Sequence, residues 1–238
     1  MNAWIPLALG AFLLWAPASP IPAQTLDQVL VKAKQAVGGD GWDKVRNMYL
    51  KGKSKIAGFD TEREEWVDLV KVRFAQKYQL GFISGGLGFD GKTAWGKEPN
   101  KPAQTAVQGT FYENVFSNAC RKSYVYLYPQ RCGAKVVYAG EKQADGKQFQ
   151  VLLVSPKGGK SLEMWLDSET YLPARSRFTG TDSFVYFSDF RTVNGLKLPF
   201  QFKADAQETT LAEVQFNVPI TNEQYQAPVS APKNNRKG

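Results

Sequence analysis

An α+β fold built on one large, curved antiparallel sheet of about ten or eleven strands, covered by two or more helices, is what this sequence predicts. Three observations lead there. A two-residue alternation of apolar and polar side chains recurs over most of the chain from residue 49 onward. Turn signals separate these runs at hairpin spacing. Only two segments carry a helical period.

The first segment, 1–23, has no charged side chain, and its apolar run from Trp4 to Ala16 gives way to Pro17-Ala18-Ser19-Pro20-Ile21-Pro22-Ala23. A run shorter than the ~20 residues of a spanning helix, followed by small and turn-forming residues, has the layout of a secretory signal cut near Ala23. The alternative is an N-terminal membrane anchor. Export would place the chain in the periplasm or outside the cell.

Thr25 then reads as a helix N-cap, with Gln28 completing a capping box. Leu26, Val29, Leu30, Ala33 and Val37 fall at helical spacing, and Gly38-Gly39 stops the helix. A short turn around Trp42, Val45 and Met48 leads into the first strand. The clearest strand is 72–83. Val72, Phe74, Tyr78, Leu80 and Phe82 share one face, Arg73, Lys77 and Gln79 the other, and Gln76 breaks the pattern. Residues 105–128, with Phe111, Tyr112, Val115, Phe116, Ala119, Tyr124 and Leu127, read as the second helix.

Strands follow at Phe149/Val151/Leu153, Leu162/Met164/Leu166, Phe184/Tyr186/Phe190, Leu198/Phe200/Phe202 and Ala212/Val214/Phe216/Val218. Asp90-Gly91, Asp145-Gly146 and Asn194-Gly195 are hairpin turns, because a type I′ turn needs positive φ at both central positions. Segment 228–238 reads as a disordered basic tail. The domain proper is 24–227.

Composition narrows the chemistry. The 238 residues include no histidine, which excludes Ser-His-Asp and Cys-His catalysis and the H-E-x-x-H zinc proteases. Two cysteines are too few for a Cys-only zinc site. In an oxidising compartment Cys120 and Cys132 form a disulfide; otherwise they are two buried thiols. Lys plus Arg is 30 against 22 for Asp plus Glu, a net charge of +8. The lysines are scattered along polar strand faces with no recognition helix, so nucleic acid is not the expected partner. Scattered solubilising charge is the plain reading, and an anionic membrane surface the functional one.

Gly86-Leu87-Gly88-Phe89-Asp90-Gly91-Lys92-Thr93 matches the phosphate-loop pattern, but the broken sequence after it cannot supply the helix that pattern requires. It reads as a Gly-rich hairpin. Glu62, Glu64 and Glu65 form a carboxylate cluster, read as a solvated strand edge beside Arg63. No D-[TS]-G turn and no calcium-loop spacing occurs. Catalytic residues, metal and cofactor are therefore expected to be absent. What remains is the apolar sheet face, which is either core or the lining of a cavity for acyl chains.

Three segments resemble a family. Phe89-Asp90-Gly91-Lys92-Thr93-Ala94-Trp95 is similar to the D-G…W turn of periplasmic lipoprotein-carrier domains, the LolA/LolB-like or outer membrane lipoprotein-sorting proteins. Trp165-Leu166-Asp167-Ser168-Glu169-Thr170-Tyr171-Leu172-Pro173-Ala174-Arg175 resembles their D-x-x-T-x-L-P-x-R hairpin. The stretch from Phe187 to Phe200 resembles their F-x-D-[YF]-R-x-V-[ND]-G-L-x-[LF]-P strand-turn-strand. The resemblance covers roughly 25–227 and implies an unclosed β-barrel capped by helices around an apolar cavity. In that family the cavity holds lipid or lipoprotein acyl chains, and this chain is accordingly expected to be a non-enzymatic carrier, and a monomer. The cavity lining is then expected from Phe74, Tyr78, Leu80, Phe82 and Trp95 in the first half. In the second half it is expected from Leu162, Met164 and Leu166, from Phe184 and Tyr186, and from Phe200 and Phe202. The other reading is a structural or interaction module of the cell envelope, accessory to a protease or assembly, with its hollow plugged.

Overall fold

The computed structural model describes residues 24–56 and 58–228. The expected signal segment 1–23 lies outside these residues, as does the expected tail apart from its first residue.

Helix α1 (Leu26–Ala36) begins as the sequence dictates. The Thr25 hydroxyl accepts from the Gln28 backbone N–H at 3.3 Å, and the Gln28 side chain accepts from the Thr25 N–H at 3.0 Å. Val29 and Ala33 point into the core. The chain leaves through Gly38 at φ 117°, where a Cβ would stand 2.7 Å from the Gly195 carbonyl oxygen. A 3-10 turn (Gly39–Lys44) then buries Trp42, whose indole N–H donates to the Val37 carbonyl at 2.8 Å.

Six strands follow: β1 (Asn47–Ile56), β2 (Phe59–Asp68), β3 (Arg73–Leu80), β4 (Ile83–Phe89), β5 (Ala94–Lys97) and β6 (Gln104–Ala106). Helix α2 (Gly109–Lys122) separates them from β7 (Lys135–Ala144), β8 (Lys147–Ser155), β9 (Leu162–Asp167), β10 (Pro173–Phe178), β11 (Val185–Val193), β12 (Leu196–Ala204) and β13 (Gln207–Phe216). All thirteen form one sheet in the order β6-β5-β4-β3-β2-β1-β13-β12-β11-β10-β9-β8-β7. Each half is a meander, and the antiparallel β1–β13 pair joins the halves. Among the described residues β6 and β7 are left as free edges, so the barrel is unclosed, as expected.

The strand count exceeds the expected ten or eleven for physical reasons. β5 and β6 have 4 and 3 residues, too short to show a period. In β7 a bulge between Tyr138 and Glu141 breaks the alternation. The second helix is also shorter than its expected span of 105–128. Residues 105 and 106 pair as β6, and beyond Lys122 the chain turns at Tyr124, with φ 56°.

Helix α2 lies over the concave face. Tyr112 and Phe116 pack on Phe89 of β4 at centroid distances of 5.8 and 5.4 Å. The Ser117 hydroxyl accepts from the Lys160 N–H at 2.6 Å, just before β9. The disulfide Cys120–Cys132 fastens the end of α2 to a 3-10 turn (Pro129–Cys132), with Cα atoms 6.0 Å apart. The main core fills the concave side beneath α1, Trp42 and α2. Two smaller clusters lie on the convex side, around Ala75, Trp95 and Tyr225, and around Phe149, Val151 and Trp165. Among the described residues no helix is long and apolar enough to cross a membrane.

Candidate ligand cavity

A cavity of about 280 Å³ remains between the concave face and α2. Its lining runs from Met48 and Leu50 to Ala204 and Gln207. Along the β1–β13 pair the lining passes from Met48 and Leu50 on β1 to Leu211, Thr209 and Gln207 on β13, which stand opposite Gly52, Ser54 and Ile56. Val67, Tyr124, Tyr126, Phe187 and Leu198 supply apolar walls.

A polar cluster sits midway along this wall. β2 alternates strictly, so Thr61, Arg63, Glu65 and Val67 face inward and Glu62 and Glu64 outward. Arg63 donates to the Glu65 carboxylate, to Gln76 at 2.9 Å and to the Thr209 hydroxyl at 2.9 Å. Thr209 shares a 2.7 Å hydrogen bond with Ser54. Lys122, in the last turn of α2, donates to the other Glu65 oxygen. Burial alone would raise the Glu65 carboxyl, but Lys122 and Arg63 outweigh it and hold the group down at about 2. Burial lowers Lys122 to about 8 despite Glu65.

A second cavity, of about 430 Å³, adjoins the first. Leu87, Asn118, Arg121 and Val185 line both. The Arg121 guanidinium donates to Asn118 at 2.6 Å, and burial lowers it to about 10.

The residues expected to line the hollow divide sharply. Met164 and Phe202 line the main cavity, and Leu162 lines the second. Phe74, Leu166 and Phe200 are on the concave side but buried in solid core. Tyr78 covers Gly85 on the neighbouring strand, where a Cβ would come within 2.1 Å of its hydroxyl. Leu80 pairs with Ile83 at the hairpin end, and Phe82 sits on the turn itself, 97% exposed. Trp95 faces the convex side, because its indole N–H donates to the Tyr225 carbonyl at 2.7 Å. Phe184 and Tyr186 are also convex: they flank Arg175, whose guanidinium stacks 4.6 Å from Phe184 and 4.2 Å from Trp165. The inward positions of β11 belong instead to Val185 and Phe187.

Arg63 and Glu65 are corrections to the expected solvated edge, being only 8% and 5% exposed. A signal was present, since both stand in phase with Val67. The Gly-rich segment is a hairpin, as its sequence indicated. Asp90 caps it by accepting from Lys92 N–H at 2.8 Å and Thr93 N–H at 2.7 Å, and β5 follows where a phosphate loop needs a helix. The two longer motifs shape turns: Asp167 accepts from the Thr170 N–H at 2.9 Å, and Asn194-Gly195 turns β11 into β12 at φ 49° and 81°. Among the described residues no cluster of carboxylates or thiols could hold a metal ion.

No family model and no curated protein matches the chain by sequence. Solved structures do match it. A LolA superfamily protein from Nitrosomonas europaea superposes with a TM-score of 0.55 at 8% identity, over 86% of this chain and 99% of that one. A domain described as an outer membrane lipoprotein-sorting protein, from Vibrio parahaemolyticus, superposes with a TM-score of 0.51 at 10% identity, over 84% of this chain and 95% of that one. The fold is therefore LolA-like.

Proposed function

We propose that this chain, starting from a LolA-like fold, is an exported, non-enzymatic binding or carrier protein that holds an apolar ligand against the concave face of its sheet. The supporting observation is the elongated cavity between the sheet and α2, walled by aliphatic and aromatic side chains. Its volume of about 280 Å³ exceeds the ~150 Å³ of an engineered apolar cavity that admits benzene. A lining spread along the β1–β13 pair suits an extended hydrocarbon chain, lipid or lipoprotein acyl. The nominated lining is Met164, Phe202, Phe187, Leu198 and Val67, with Leu162 in the adjoining space. The secretory layout of residues 1–23 and the disulfide both suit an oxidising compartment outside the cytoplasm.

The test is native mass spectrometry of the purified protein, followed by titration with an environment-sensitive hydrophobic fluorophore. Co-purifying lipid, or one saturable site, supports the carrier. A protein that is both empty and blind to the fluorophore is instead a structural module with a plugged hollow.

A further inference from the structure

The charges lining the main cavity do not balance. Three cationic side chains, Arg63, Arg121 and Lys122, line it against one carboxylate, Glu65. Glu65 is already taken up by Arg63 and Lys122. Arg121 has no carboxylate partner among the described residues. One of its five N–H groups reaches Asn118, its guanidinium lies 6.0 Å from the Phe187 ring, and Glu65 acts on it only through space without an ion-pair contact. The Nε–H of Arg63 is buried without an acceptor.

A guanidinium at an apolar wall is costly unless an anion meets it. Burial lowers Arg121 and Lys122, as it does cations held away from water, while Lys122 and Arg63 hold the Glu65 carboxyl down. Arg121 also stands where the two cavities meet. A head group bound to it would have apolar space on either side for a chain.

We propose that the cavity selects a single-chain amphiphile with an anionic head, carboxylate or phosphate monoester, and that Arg121 is the binding residue for that head. This rests on the carrier reading and narrows it to a ligand class.

The full chain, stripped of lipid, is titrated with palmitic acid, hexadecyl phosphate and methyl palmitate against a bound neutral fluorophore. One or both anions are expected to bind about tenfold or more tightly than the ester, as a charge-assisted hydrogen bond provides. Whichever anion shows the preference identifies the head. Arg121→Gln should bring the preference to within about twofold while leaving the ester's affinity in place, and Arg121→Lys should keep it. Equal affinities for all three in the unmodified protein overturn the proposal and leave the carrier reading standing. Displacement by none of them also overturns the proposal, whereas only a protein that takes up neither lipid nor fluorophore overturns the carrier reading.

Discussion

The ammonium of Lys122, at the end of α2, donates to the carboxylate of Glu65 on β2, and the two side chains are only 13% and 7% exposed. This pair ties the helix across the concave face to the strand beneath it. It also sets a charged cluster against the apolar walls of the cavity.

Glu65→Gln leaves Lys122 and Arg63 as buried cations without a counter-charge. Unfolding stability should fall by about 3–5 kcal/mol, measured by urea titration. The same variant should change the acid limb. The folded Glu65 carboxyl lies at about 2, below the ordinary 4.5, so its contribution is full above 4.5 and is lost as the pH falls towards 2. Stability measured over that window should decline less steeply in the variant.

Ser117 is fully buried, donating to the Glu113 carbonyl at 2.7 Å and accepting from the Lys160 N–H at 2.6 Å. Ser117→Ala should cost about 1–3 kcal/mol, because the Lys160 N–H loses its acceptor. Hydrogen exchange at Lys160 should accelerate. Unchanged exchange there would contradict the docking of α2 onto the loop before β9.

The Cys120–Cys132 disulfide closes a short loop between α2 and the 3-10 turn that follows it. Replacing both cysteines by alanine should lower stability by about 2–4 kcal/mol. The loss should appear as a lower Tm in calorimetry, and reducing agent should have no further effect on the variant.

Val185 lines both cavities and is only partly buried. Val185→Trp places a large ring in the space assigned to hydrocarbon. Fluorophore uptake should fall by about tenfold or more while the Tm stays near that of the parent. Undiminished uptake would move the binding site elsewhere on the molecule.

Period, punctuation and composition determined much of this protein. The Thr25–Gln28 box made α1, and Asp145-Gly146 and Asn194-Gly195 set two-residue hairpins, whereas Asp90 keeps a negative φ and caps a four-residue loop. The absence of histidine removed whole classes of catalysis. These are local properties, written in the identity of one residue and its near neighbours. The cavity was different. Alternation says that a strand has two faces but not which face meets the hollow. At Trp95, Phe184 and Tyr186 the aromatic face was the outer one, since Tyr225 and Arg175 cover it there. Even on the inner face, Phe74, Leu166 and Phe200 are packed solid, while Met164 and Phe202 border open space. That division depends on where α1, Trp42 and α2 come to rest on the sheet. Only the assembled tertiary structure sets it, because Glu65 and Lys122 are neighbours in space and distant along the chain.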